Sequence, residues 1–558
     1  MKRLLPLACG LIGLLTLFLA TPVRAQVPGF DWAVGGDAPT TYEQQVQNTG
    51  VATDAAGNSY VTGIFRNTLK LGSTMLTAVG DYDIYVASLD AKGHYRWAVQ
   101  AGGNGWDISK AVALDASGNV YITGYLESND IRFGALAVAN PVFANGSTPV
   151  FVAKLSPTGT WLRVTTATNP SARFLYMLGT ALAVDGPGNV YITGGFNGNP
   201  QFGNTSLESY GYGVFVAKLN TAGTWDWAVR GGGAAYDFGQ GIALDGSGNA
   251  YVTGFFEASQ ATFGSIQLPN ATRSKDLFVA KLDASGRWLW ATHAGTANTA
   301  TGNGIAVDAA GNAYITGAVA GSVARLGAIA VPKNDDSYDL LVASLSPAGA
   351  WQWAVRGGSP SDDFGRGIVR SADGHLTVAG SVSGSVATFG ALPPQPVAGG
   401  TDVAVAQLDA TGAWRWALCG GGPGGDYSAA IAQAPGGDVR ITGTFEGPTL
   451  QLGTATLPGG TKYYSYYADQ GFVTSVADLA RRSPNDSDLT LWPNPSRGTV
   501  WATGLPAGQP VQVFDAVGRL VAADARPTYE AAGLVLPALR AGVYIVRCGE
   551  QARRLVLE

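Results

Sequence analysis

One ten-residue pattern recurs seven times along this chain, and that leaves few folds open to it. DAAGNSYVTG (54–63), DASGNVYITG (115–124), DGPGNVYITG (185–194), DGSGNAYVTG (245–254) and DAAGNAYITG (308–317) share D-x-x-G-N-x-Y-[VI]-T-G, and SADGHLTVAG (371–380) and APGGDVRITG (434–443) are looser copies. Their final glycines are 61, 70, 60, 63, 63 and 63 residues apart. A period of this length marks one supersecondary unit per repeat, each needing its neighbours to bury its apolar face.

Other elements keep step with the pattern. A short apolar stretch precedes each copy, as in GIALD (241–245); an F-G or L-G pair follows, then a stretch like LFVAKL (277–282), then W-x-W-A as at Trp288 and Trp290. Each unit therefore reads as four strands, A to D, with D-x-x-G-N as the A–B hairpin turn, where Asp and Asn bond the backbone and Gly takes positive φ. The 78 glycines among 558 residues, about twice the usual share, fit many tight turns. Strict alternation along strand D would put both indoles of W-x-W on one face, packed between units. Four short antiparallel strands repeated seven times predict an all-β, seven-bladed β-propeller. The last unit lacks its W-x-W strand, while Phe30-Asp31-Trp32-Ala33 stands alone before the first. The first strand is thus expected to complete the last blade, pairing near Phe472–Val476, and to leave no open sheet edge.

Residues 1–25 read as a signal peptide: Lys2 and Arg3, an apolar run from Leu4 to Ala20, and Val23-Arg24-Ala25 before the cleavage point. The propeller is assigned to 26–476, a polar linker to 477–488 and a small Ig-like β-sandwich to 489–558. No later run is apolar and long enough for a transmembrane helix. Cys419 and Cys548 fall in different segments, so disulfides are not expected to hold the fold.

The D-x-x-G-N-x-Y-[VI]-T-G, F-G, F-V-A-K-L and W-x-W-A series resembles the seven-bladed β-propeller repeat family called SBBP over about 27–476. Members of that family are mostly extracellular bacterial proteins of unassigned biochemistry. The tail is similar to the type A C-terminal sorting domain of the type IX secretion system. The matching residues are Pro493, Asn494 and Pro495 after Trp492, Gly518 and Arg519 after Phe514-Asp515, and Gly542 and Tyr544 before the basic Arg553-Arg554. That resemblance implies the type IX machinery as a partner, and passage through the periplasm to the outer-membrane surface or the medium.

Chemistry is sparse. Three histidines leave little for a metal centre or a hydrolase triad, and no phosphate loop, zinc-protease or C-x-x-C motif occurs. The chain carries net charge −5, which speaks against nucleic acid as a partner. No cofactor, no metal and no catalytic residue is assigned, and the expected class is a monomeric, non-enzymatic module that binds a glycan or a protein. The repeated acids Asp107, Asp237, Asp363 and Asp426 precede strand A and are the material for a rival reading, an extracellular polysaccharide hydrolase or lyase. In-register repetition argues that they serve the repeat instead. A structural surface component is a third possibility.

Irregularity points to a binding face. The distance from the strand C valine to the next final glycine is 38 residues in five units but 42 from Val152 to Gly194, and Trp32 to Gly63 carries the same four-residue excess over Trp97 to Gly124. Both insertions fall in D-to-A connections, which ring the channel mouth of a propeller. Loops there carry ligand groups on a rigid scaffold. The candidates are Tyr42, Trp106, Arg173, Phe174, Tyr176, Tyr236, Phe364, Arg366 and Tyr427, aromatic and basic groups suited to sugar rings or a protein hot spot.

Overall fold

The A–B turns form as their residues dictate. In the fourth unit Oδ1 of Asp245 accepts the backbone N–H groups of Ser247 and Asn249 at 3.0 Å, Oδ2 accepts the Asn249 amide at 2.7 Å, and Gly248 takes φ of 76°. The tyrosine of the motif, Tyr251, is buried against the same carboxylate, and its threonine, Thr253, donates to the strand C carbonyl of Phe278 at 2.9 Å. The final glycine is required by contact. A Cβ on Gly254 would lie 1.9 Å from the Phe238 carbonyl oxygen, and the other six copies show the same collision with strand A.

A computed structural model describes residues 30–36, 46–139, 147–168, 176–295, 298–321, 323–332, 336–453, 455–458 and 463–470, together with short strands between 490 and 557. Seven antiparallel blades follow one another around a ring. Blade 2 is typical: strand A Asp107–Leu114, B Val120–Leu126, C Val150–Leu155 and D Trp161–Ala167, paired in that order from the axis outward. The seven A strands touch in sequence, blade 1 meeting blade 7, so they line a central channel. The A–B and C–D turns share one face of the ring, here the lower; the D-to-A and B–C connections share the upper.

Phe30–Gly36 pairs antiparallel with Tyr463–Gln470 and completes blade 7, as the orphan strand requires. Its partner is not Phe472–Val476, which lies outside the described residues. In the other blades the residue opposite the final glycine comes 21 to 27 positions later, and opposite Gly443 it is Tyr466, at 23. Blade 1 is held to blade 7 by the Asn48 amide donating to the Tyr466 carbonyl at 2.7 Å.

Two irregularities were not expected. Each B–C connection contains an extra two-stranded hairpin, such as Asp130–Phe133 with Leu136–Ala139, and the F-G pair is its turn, with Gly134 at φ of 58°. In three places this hairpin also pairs with strand D of the preceding blade. The second is a bulge in strand D, between the partners of Lys218 and Leu219 in blade 3. It cancels the alternation, so the two indoles do not share a face. Trp225 Nε1 donates back to Thr166 of blade 2 at 3.2 Å, while Trp227 Nε1 donates forward to Ala284 of blade 4 at 3.1 Å. W-x-W thus stitches a blade to both neighbours. The first indole also meets its own hairpin edge-on, Phe202 to Trp225 at 5.1 Å and 89°.

Beyond the propeller, strands Thr490–Trp492, Thr499–Thr503 and Gly533–Val535 form one antiparallel sheet. Val511–Asp515, Leu520–Asp524, Gly542–Cys548 and Gln551–Leu557 form another. Gly542 and Tyr544 lie on the third of these, with Tyr544 buried. Pro493, Asn494, Pro495, Gly518 and Arg519 lie outside the described residues.

Candidate functional site

The upper face is built by a link between blades. The backbone N–H at the start of strand A donates to the carbonyl before or at the start of the previous blade's strand C: Asp107 to Tyr82 at 2.8 Å, Met177 to Thr148 at 3.2 Å, Asp237 to Tyr212 at 3.2 Å. The residue just before each of these donors is Trp106, Tyr176 or Tyr236, eighteen positions before the final glycine in all three blades. Three consecutive blades therefore present an aromatic ring at one register. They are exposed, at 49%, 37% and 43%. Tyr427, the second residue of strand A in blade 7, is 39% exposed. Among the described residues the exposed large aromatic side chains therefore stand on D-to-A connections or at the start of the strand A that follows one.

The predicted residues fall into three groupings on this rim. Trp106 meets Tyr82 at 5.3 Å between centroids, and its Nε1 donates to Asp81 at 3.3 Å; Arg66 pairs with the same aspartate. Tyr236 packs against Tyr212 at 4.9 Å and Phe238 at 4.8 Å, with Lys275 over its ring at 5.9 Å. Tyr176 belongs with them electrostatically: burial raises the pKa of Tyr212, and the phenols of Tyr236 and Tyr176 add to the rise. On the far side Arg366 lies over the Phe364 ring at 5.2 Å, Tyr338 contacts Phe364 at 5.2 Å, and Tyr427 interacts with Arg366. Tyr42, Arg173 and Phe174 lie outside the described residues. Sequence reasoning missed Tyr82 and Tyr212, whose place is set by the inter-blade link, and Lys110. The signal for Lys110 was available, because it stands fourteen residues before Gly124, as Arg366 does before Gly380.

Asp107, Asp237, Asp363 and Asp426 are buried and spent on loop geometry. Each accepts a backbone N–H from the loop before it, Gly103, Gly233, Ser359 and Gly422, at 2.5 to 2.7 Å. Each also accepts one from the end of strand B or the residue after it, such as Ser383 to Asp363 at 2.8 Å. Burial pushes Asp363 and Asp426 up to about 6, and raises Asp107 and Asp237 as well. Stapling two loops of one face is their evident work.

A separate groove of about 820 Å³ runs along blades 4 and 5, lined by Asp276, His293, Asn298 and Arg325 among others. In it His293 Nδ1 lies 3.0 Å from Asp276 Oδ2. Among the described residues no group of three or more His, Cys, Asp or Glu side chains could hold a metal ion.

Comparison with known proteins agrees with the architecture. Residues 226–254 and 289–318 match the SBBP family model, described as a β-propeller repeat. An uncharacterized WD repeat-containing protein of Acanthamoeba polyphaga mimivirus is 22% identical over 330 residues, which is 48% of this chain and 24% of that protein. The chain thus spans about a quarter of that relative's length. Among solved structures, the Pan2 WD40 domain of Neurospora crassa is 10% identical, with 76% of this chain and 89% of that one covered and a TM-score of 0.37. PorZ, a surface component of the type IX secretion system of Porphyromonas gingivalis, is 14% identical, with 93% and 82% covered and a TM-score of 0.20. The chain is a seven-bladed β-propeller in which two segments match the SBBP repeat.

Proposed function

We propose that this protein is a non-enzymatic binding module whose ligand, a glycan, lies on the upper rim of the propeller. The observation that carries the reading is the placing of Trp106, Tyr176 and Tyr236, exposed aromatic rings on D-to-A connections, with Tyr427 exposed at the start of a strand A on the same face. Leaving such rings in water forgoes the burial that elsewhere stabilises the fold, and a stacking partner would restore it. The hydrolase or lyase reading needs two reachable carboxylates roughly 5–9.5 Å apart. The four aspartates that suggested it are buried and occupied by backbone donors. A glycan array probed with the purified chain and with Trp106→Ala and Tyr176→Ala tests the proposal. Binding lost in both variants supports it; binding unaffected by either overturns it.

The proposal extends to address. The leader at 1–25 and the sorting motif at Pro493, Asn494, Pro495, Gly518, Arg519, Gly542 and Tyr544 support export through the type IX machinery, with an Ig-like fold for 489–558. Deleting 485–558 in a host with that system should leave the propeller in the periplasm. Equal surface display of truncated and full-length chains would refute the assignment.

A further inference from the structure

Every A strand carries a bulge at one register. Strand pairing slips between Ser109 and Ala111 in blade 2 and between Gly365 and Gly367 in blade 6, and likewise in the other five. The residue left unpaired stands fourteen positions before each final glycine. In blades 3 and 5 its side chain caps the seam to the next blade: Thr180 donates to the Gly239 carbonyl at 2.6 Å, and Asn303 to the Gly365 carbonyl at 2.7 Å. Blades 2 and 6 carry cations there, Lys110 and Arg366. Both are exposed. The seven A strands line the channel, so an exposed side chain on one of them borders the channel or its mouth. Protein crowds them there, and the desolvation lowers the pKa of each.

Neither cation forms an ion pair among the described residues. Several of the rim's acids are engaged elsewhere: Asp107, Asp363 and Asp426 hold loop N–H groups, Asp81 holds Arg66, and Glu257 lies 3.7 Å from Lys275. Arg366 instead faces the Phe364 ring, with Tyr427 beside it. Two exposed cations on the strands that line one channel make its mouth positive, and a channel walled by protein focuses that field on whatever enters. Resting on the rim-binding proposal, we infer that the channel mouth takes the acidic groups, uronate carboxylate or sulfate ester, of an anionic polysaccharide stacked on the rim aromatics.

Chemistry favours a polysaccharide over an acidic peptide. Half-solvated rings such as Trp106 and Tyr236 suit the faces of pyranoses, whereas peptide anchors sink into fully desolvated pockets. Lys and Arg bind either kind of sugar acid through charge-assisted hydrogen bonds, and Arg does so in a bidentate fork.

The test is titration of the purified chain with polygalacturonate oligomers, dextran sulfate, neutral dextran of matched length and poly-glutamate. One or both acidic glycans should bind, and which one identifies the acid. Lys110→Gln with Arg366→Gln should weaken that binding about tenfold or more, while the charge-retaining exchange Lys110→Arg with Arg366→Lys should retain most of it, so a fold defect is not mistaken for a lost contact. Raised salt should weaken it as well. If neutral dextran binds as tightly, is indifferent to the charge substitutions and is lost in Trp106→Ala, the anion inference fails while the rim reading stands. Binding of poly-glutamate alone overturns the choice of polysaccharide. Binding of no probe overturns the inference, and the array experiment then judges the rim by itself.

Discussion

The two faces of this ring use the same amino acid in opposite ways. On the lower face Asp115, Asp245 and Asp308 sit at turns; burial alone would raise their pKa, but bonds from the following Asn and from backbone N–H groups outweigh it and lower it. On the upper face Asp83, Asp363 and Asp426 are more deeply enclosed, burial dominates, and each is pushed up to about 6. Asp83 and Asp426 also feel Asp107 and Asp402 as like charges from the neighbouring blade. The lower face repeats with little change and stabilises each blade locally. The upper face varies in loop length, ring and charge, and spends carboxylates to hold that variation still.

The largest effect should come from the element both faces depend on. Removing 26–36 takes a whole strand from blade 7 and should cost at least about 3 kcal/mol in denaturant unfolding; a truncated chain that unfolds like the parent would refute ring closure. Next is the shared glycine. Gly254→Ala drives a Cβ into the Phe238 carbonyl, whereas Gly246→Ala on the lower turn meets nothing within 4 Å. The first should cost about 3 kcal/mol and the second less than about 0.5 kcal/mol, measured side by side.

Acidity should separate the two faces without mutation. Carboxyls with raised pKa bind protons more readily in the folded chain. Stability should therefore grow as pH falls from 7 through about 6 and on toward the ordinary value of 3.8. The lower-face aspartates have the opposite sign, and their contribution is lost as pH drops below 3.8. Melting temperature should rise by about 1–3 °C from pH 7 to pH 5 and fall steeply below pH 4. A melting curve flat from pH 7 to pH 5 would contradict the enclosed upper-face acids. The smallest effect is expected at the rim. Trp106→Ala should change stability by only about 0.5 kcal/mol, because the ring is 49% exposed. A large loss of melting temperature there would make Trp106 a packing residue and remove the main support for a binding face.

Much of this was readable before any coordinates. The spacing of seven final glycines and the orphan Phe30-Asp31-Trp32-Ala33 are enough for blade number and closure, because a four-strand unit short of one strand has to borrow it. The exposure of Trp106, Tyr176 and Tyr236 was legible too, as aromatics on D-to-A connections, whereas Phe364, Arg366 and Tyr427, read as part of such connections, lie on strand A because that strand begins earlier than its apolar run. What went unread was local breakage of the two-residue period. The bulge in strand D sends Trp225 and Trp227 to opposite neighbours, where alternation had placed them together. The strand C partner of Phe30–Gly36 was placed at an apolar string beyond Tyr463–Gln470, where the buried Tyr466 and Tyr467 do the same packing.

The number of blades, their order, their turns and the need for closure follow from hydrogen bonds and sterics within a few residues of each motif, and so were written in the chain. Where side chains point at the bulges was set by packing between blades. Lys110 and Arg366 stand at equal distance before their glycines, yet nothing in that spacing says whether the extra residue turns into a blade interface or toward the axis. That direction depends on the neighbouring A strand, whose carbonyl Thr180 and Asn303 can reach.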